Sequence, residues 1–113
     1  MSRLNELHAK RGAYAPIFAA LGNATRLSVV AKLCAGSPRS ITELTEDTRL
    51  TRQAVTKHLR VLQRARLVRR ARAGRESRFE LNPGPIIASR HYLDLVSRQW
   101  DDALERLRDF VER

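Results

Sequence analysis

Residues Leu50 to Gln63 read LTRQAVTKHLRVLQ. Val55, Leu59 and Leu62 fall at i, i+4 and i+7, which predicts a helix with one narrow buried stripe. Its opposite face carries Arg52, Gln53, Thr56, Lys57 and Arg60. Thr51 stands at the N-cap position, where its hydroxyl can accept one of the first free backbone N–H groups while others meet a phosphate. Standing alone, such a face would read as an ordinary solvated helix surface. Its surroundings give it another meaning.

From Arg49 to Arg78 the chain holds eleven basic residues against a single acid, Glu76, whereas the other 83 of the 113 residues carry eleven of each sign. The formal net charge of +10 therefore belongs to this window. The excess is mostly arginine, whose planar fork matches phosphate oxygens, so the field is the footprint of a nucleic-acid surface. A membrane surface would attract the same charge but would also need bulky apolar residues free to insert. The narrow stripe of Val55, Leu59 and Leu62 is required by the core, so no membrane insertion is expected.

Outward from this stretch, 42% hydrophobic residues with only 5 Gly and 4 Pro point to one ordered, mainly helical domain spanning residues 1–113. No apolar run approaches the ~18 residues of a membrane span. The first residues, MSRLNELHAKRG, lack the apolar run of a signal peptide, which makes a cytoplasmic location the expectation. Cys34 is the one cysteine and is expected to act as a small buried hydrophobe.

Upstream, Leu4 to Leu21 reads as a first helix, with Gly12 and Pro16 as points where it could break and Tyr14, Ile17, Phe18 and Leu21 along one side. Asn23 caps a second, in which Leu27, Val30, Ala31 and Cys34 form the expected core face and Gly36 supplies the positive φ that ends it. Ser40, Ile41, Thr42 and Glu43 spell a capping box that opens a short helix to about Thr48, with Ile41 and Leu44 inward. A tight connection then leads into LTRQAVTKHLRVLQ. Two short helices in this order make a helix-turn-helix, whose second member enters the major groove.

Downstream the period changes to alternation. Leu67 to Arg72 and Arg75 to Leu81, around Ala73 and Gly74, predict a β-hairpin beside the helix pair, which completes a winged helix-turn-helix. Pro83, Gly84 and Pro85 then open a last helix, taken as residues 85–112. Its apolar residues Leu93, Val96, Trp100, Leu104, Leu107 and Val111 recur at heptad-like spacing. A helix of ~27 residues spans ~40 Å and overhangs so small a core, so a second copy of the chain is the economical cover for that seam. The plainer alternative folds the whole seam back onto the first helix.

The segments ALGNATRLSVVAKL and ITELTEDTRLTRQAVTKHLRVLQRARLVRRARAGRESRFEL resemble the ArsR-type family of bacterial winged-helix repressors over roughly Tyr14 to Leu81. The resemblance implies a DNA-binding core at residues 13–81. It implies a homodimer joined by the first and last helices (1–21 and 85–112), with Tyr14, Ile17, Phe18, Leu93, Val96, Trp100, Leu104 and Leu107 at the interface. It also implies a near-palindromic operator in double-stranded DNA, usually repressed. One departure is local: similar chains commonly end the recognition helix with Ala-Gly-Leu, and this one has Ala65, Arg66, Leu67.

On this reading Gln53, Thr56 and Lys57 meet base edges, Ser40, Thr51, Arg52 and Arg60 hold phosphates, and Arg72 and Arg75 bring the wing to the backbone. The sensing chemistry of the family is the larger departure. ITELTEDT has no thiolate. His91 with Asp94, followed by Asp101, Asp102 and Glu105, would give zinc an oxygen-rich set with one imidazole. No metal and no cofactor is expected, and no nucleophile–base spacing or phosphate loop suggests an enzyme. Control is left to a regulatory protein, a small ligand, or the protein's own abundance. The competing reading is a nonspecific architectural DNA- or RNA-binding winged helix.

Overall fold

The computed structural model describes residues 3–113, with side chains described throughout except at positions 3, 4, 7–9, 72 and 73. Residues 1 and 2 of the expected first helix, and the side chain of Arg72, lie outside the described residues. In chain order the elements are α1 (Arg3–Leu21), α2 (Ala24–Leu33), β1 (Arg39–Ser40), α3 (Ile41–Thr45), α4 (Arg52–Arg64), β2 (Val68–Ala73), β3 (Glu76–Leu81) and α5 (Pro83–Glu112).

The core is small and sits behind α4. Val55, Leu59 and Leu62 are 0%, 1% and 0% exposed, and around them close Ala20, Val29, Leu33, Leu44, Leu67, Val68 and Phe79. Thr51 caps α4 as expected, its hydroxyl accepting from the Ala54 N–H at 3.1 Å. The capping box before α3 is also formed: Ser40 Oγ accepts from the Glu43 N–H and Glu43 Oε1 accepts from the Ser40 N–H, both at 3.2 Å. That helix stops at Thr45, short of the expected Thr48: the backbone leaves helical geometry at Glu46 (ψ 142°) and Asp47 (φ 62°), and Lys32 Nζ donates to the carbonyls of Leu44 (3.1 Å) and Glu46 (2.8 Å) at the freed end.

Three expectations are corrected. First, α1 runs unbroken through Gly12 and Pro16. An interior proline removes a backbone donor and costs ~3 kcal/mol, which tertiary contacts offset here. Ile17 and Leu21 pack on the core, and Tyr14 stacks on Tyr92 of α5 at 4.7 Å between ring centres. Second, α2 is rotated from its expected setting. Val29 and Leu33 are buried, Val30 only partly, while Leu27 (50% exposed), Ala31 and Cys34 face outward. Leu27 with Ala31 and Val29 with Leu33 are both i, i+4 apolar pairs, so periodicity does not choose between them. The rotation that wins lets Arg26 reach Ala20 O at 2.6 Å.

Third, the hairpin belongs to a three-stranded antiparallel sheet in the order β1-β3-β2. Arg39 and Ser40 pair with Phe79 and Arg78, a strand too short to show any alternation. The hairpin strands begin one residue later than expected, leaving Gly74 (φ 66°) and Arg75 at the tip.

At the end of α4 the Arg66 N–H donates to Gln63 O (2.9 Å) and the Leu67 N–H to Leu62 O (3.0 Å). This is a Schellman closure, which requires a left-handed residue, and Arg66 supplies it with φ 61°. Asn82 fastens the same corner to α5, donating from its backbone to Leu67 O (2.9 Å) and from Nδ2 to Arg66 O (3.0 Å). From there α5 runs for 30 residues, ~45 Å at 1.5 Å per residue. The radius of gyration is 18.5 Å, against ~13 Å for a compact chain of this length. The far half of α5 accounts for the excess, projecting beyond the core.

Candidate nucleic-acid interface

Arg52, Gln53, Thr56, Lys57 and Arg60 share the solvent face of α4 because Val55, Leu59 and Leu62 fix the opposite one inside. With Ile41 of α3 they line a single open cleft of about 300 Å³. No acidic side chain lines it. Among the described residues, the side chains of Arg52, Gln53, Lys57, Arg60 and Arg75 make no internal hydrogen bond or ion pair, so their donors are available to a ligand. Thr56 Oγ1 donates to Arg52 O at 2.7 Å, which leaves its oxygen free to accept. Thr51 accepts as a cap, which leaves its hydroxyl proton free to donate.

Ser40 is corrected. It is 3% exposed and its hydroxyl is engaged in the cap of α3, so it stands behind the surface on which phosphates would lie. Capping-box residues are small and polar for the same reason that phosphate-binding residues are, and sequence does not separate the two uses.

The wing is less uniformly available than its arginine count suggests. Arg78 donates to Pro38 O (3.1 Å), Glu43 Oε1 (2.8 Å) and Glu76 Oε2 (3.1 Å), tying β3 to the start of α3. Arg69 pairs with Glu80 at 2.9 Å, and Arg70 lies 5.8 Å over the Phe79 ring. Glu43 is held below the ordinary carboxylate pKa, first by the Ser40 backbone N–H, then by the Ser40 hydroxyl and the charges of Arg78 and Arg39, with partial burial opposing. Arg75 stands exposed at the tip. Arg72 sits in β2 opposite Ser77, one position further from the tip than expected.

The expected interface residues divide. Tyr14, Ile17, Phe18 and Val96 are half-buried within the chain, with Phe18 5.8 Å from Tyr92. Tyr92 is the residue the heptad reading passed over: it lies on the inner face of α5 together with Ser89, which is buried. Leu93, Trp100, Leu104 and Leu107 face outward, joined by Phe110 and Val111, and Trp100 is 65% exposed. The seam therefore does not fold back as a whole onto α1. Among the described residues no group of three or more His, Cys, Asp or Glu side chains could hold a metal ion, and no helix is long and apolar enough to cross a membrane.

Residues 21–71 match a family described as a helix-turn-helix domain. The HTH-type transcriptional regulator Rv2034 of Mycobacterium tuberculosis is 40% identical over 85 residues, 75% of this chain and 76% of that one. The structure of an ArsR-like transcriptional regulator from Rhodococcus sp. RHA1 superposes with a TM-score of 0.83 at 28% identity, over 92% of this chain and 94% of that one. The chain belongs to the ArsR-type family of winged helix-turn-helix transcriptional regulators. Another similar structure is the winged helix-turn-helix DNA-binding domain of Mb0332 from Mycobacterium bovis, which is homodimeric; it is 25% identical, with a TM-score of 0.62 and 88% of each chain covered. As an ArsR-type regulator the chain is a DNA-binding protein in which α3 and α4 are the helix-turn-helix and β2 and β3 the wing.

Proposed function

We propose that two copies of this chain, joined through α1 and α5, bind a near-palindromic operator and repress transcription. The observation that carries the proposal is the acid-free cleft of Arg52, Gln53, Thr56, Lys57 and Arg60 on the outer face of α4. Gln53 can pair with adenine N6 and N7, and Lys57 with guanine O6 or N7, while Thr56 accepts from a base amino group. Thr51, Arg52 and Arg60 hold flanking phosphates and set the register, with Arg72 and Arg75 adding wing contacts. Ser40 drops out of that set.

Support for the dimer comes from the outward row of Leu93, Trp100, Leu104 and Leu107, each at least half exposed, since large apolar side chains gathered on one exposed face mark an interaction surface. In this reading residues 1–113 work as one cytoplasmic domain, and operator affinity does not respond to zinc, arsenite or peroxide. Release then comes from dilution of the protein under autorepression, from a partner protein, or from a small ligand between α1 and α5.

The test is binding to a duplex selected by the protein from randomised DNA, compared with a scrambled duplex of equal length at fixed salt. A sequence-specific regulator gains ~10³-fold or more on its own site. Equal affinity for both duplexes, or for RNA, would replace this proposal with a nonspecific architectural role.

A further inference from the structure

The face of α4 that meets the core is apolar toward α2 and α3, and its junction with α1 opens to solvent on the outer side. A cleft of about 340 Å³ lies there, lined by Pro16, Ala19 and Ala20 of α1, Val61, Arg64 and Ala65 at the α4 end, and Arg26 of α2. A second, of about 440 Å³, shares Pro16, Arg64 and Ala65 with it and lies between Tyr14 and Ile17 of α1 and Gly84, Pro85 and Ala88 of α5. Close packing normally fixes the angle between two helices. Between α1 and α4 it is confined to the core side, where Ala20, Ile17 and Leu21 pack into the same core as Val61 and Ala65, and the outer side is left open.

Arg26 spans this junction. Its backbone N–H is held by Asn23 Oδ1 at 3.0 Å, which places the residue in the first turn of α2. Its guanidinium donates from Nε to Ala20 O at 2.6 Å and from one terminal nitrogen to Ala19 O at 3.4 Å, two carbonyls in the last turn of α1. The other terminal nitrogen faces His58 Nδ1 of α4 at 3.4 Å. An arginine has no acceptor, so Nδ1 accepts in this contact. One planar group thus touches α1 and α4 from α2, and its fork resists rotation as a single ammonium contact does not.

We infer that Arg26 is a positioning residue for operator recognition: through His58 it fixes the tilt of α4 against α1, and so sets the spacing of half-sites that the dimer accepts. The inference rests on the dimeric reading above, in which α1 belongs to the joint between subunits and α4 to the DNA. The lever is long: a tilt of about 10° about the C-terminal end of α4, where α1 meets Val61 and Ala65, displaces the N-terminal end ~20 Å away by ~3.4 Å, one base-pair step. His58 lies beside Lys57 on α4, so a shift there reaches the base-contacting residues directly.

The test uses full-length protein and the selected duplex, together with versions carrying one base pair more or less between the half-sites. Wild type, Arg26→Lys and His58→Leu are compared for dimerisation by sedimentation and for affinity on all three duplexes. Lysine keeps the charge but has no planar fork to reach Ala20 O, Ala19 O and His58 Nδ1 together, and leucine fills the half-buried space of His58 while removing its acceptor. The expected result is that wild type loses about tenfold or more on either altered spacing, whereas both variants stay dimeric and lose no more than about threefold relative to their own affinity for the original duplex. His58→Leu keeps the question open to refutation if Arg26→Lys fails to fold. Folded, dimeric variants that keep the full spacing penalty, even with weaker binding throughout, would overturn the inference and leave Arg26 a stabilising contact. A wild-type protein that is monomeric on DNA, or indifferent to spacing, would overturn the dimeric reading and this inference with it.

Discussion

Replacing Arg66 by glycine is expected to stabilise the protein without touching its DNA surface. Arg66 holds φ 61° to complete the Schellman closure at the end of α4. A residue with a Cβ pays roughly 1–2 kcal/mol in that conformation, while glycine brings back ~0.5–1 kcal/mol through the greater freedom of its unfolded chain. Losing a cation near the helix C-terminus costs a further ~0.3 kcal/mol. The net is a gain of ~0.5 kcal/mol or somewhat more, because the closure bonds at 2.9 and 3.0 Å are backbone bonds that survive the change. Urea unfolding at fixed chain concentration should show a midpoint raised by ~0.2–0.5 M with an unchanged slope. Arg66→Ala is the control, since alanine keeps the strain and removes the charge; its midpoint should stay level or fall slightly. A lower midpoint for the glycine variant, or equal gains for glycine and alanine, would refute the strain account. Operator affinity should be unchanged, because Arg66 lies some 20 Å along α4 from Arg52 at 1.5 Å per residue.

Joint replacement of Arg72 and Arg75 by alanine should weaken binding to selected and scrambled DNA alike and flatten the log–log salt dependence by ~1 for each phosphate no longer neutralised; an unchanged slope would put the wing off the backbone. Trp100→Ala should shift the dimer toward monomer in sedimentation at micromolar chain concentration, as expected for an aromatic anchor worth ~2 kcal/mol or more, and a fully dimeric variant would remove Trp100 from the interface. Glu43 is bound as a carboxylate, so its folded pKa is the lower one and its contribution is complete above its unfolded pKa. The stability difference between wild type and Glu43→Gln should therefore be constant at neutral pH and shrink as pH falls through the carboxylate range; a difference that grows on acidification would contradict the assignment.

Much of α4 was legible because Val55, Leu59 and Leu62 form its one fully buried stripe, with Arg52, Gln53, Thr56, Lys57 and Arg60 opposite. The capping box at Ser40 and the positive φ at Gly36 (94°) were legible for a similar reason, each being a local bond or angle that few residues satisfy. Where two apolar faces compete, as on α2 and α5, pattern alone fails. On α2 the choice was made by Arg26, a charged residue whose partners lie on α1 and α4. On α5 Tyr92 faces α1 while Trp100 faces outward, and spacing places both on an apolar helix without saying which neighbour each meets. Arg78 and Ser40 show the same limit at the candidate site: both look like DNA contacts in one dimension, and both are occupied by Glu43 in three. β1 left no trace because two residues cannot alternate.

The claim that α4 reads bases from a two-fold assembly is tested most directly by methylation interference on the selected duplex, with wild type and Lys57→Ala run side by side. The account predicts two symmetry-related patches of guanine N7 interference, centred one helical turn or a whole multiple apart along the major groove. In Lys57→Ala both patches should lose the guanine signal together, while phosphate contacts outside them, read by ethylation interference on the same duplex, persist. A single patch, or two patches that Lys57→Ala leaves intact, would contradict it.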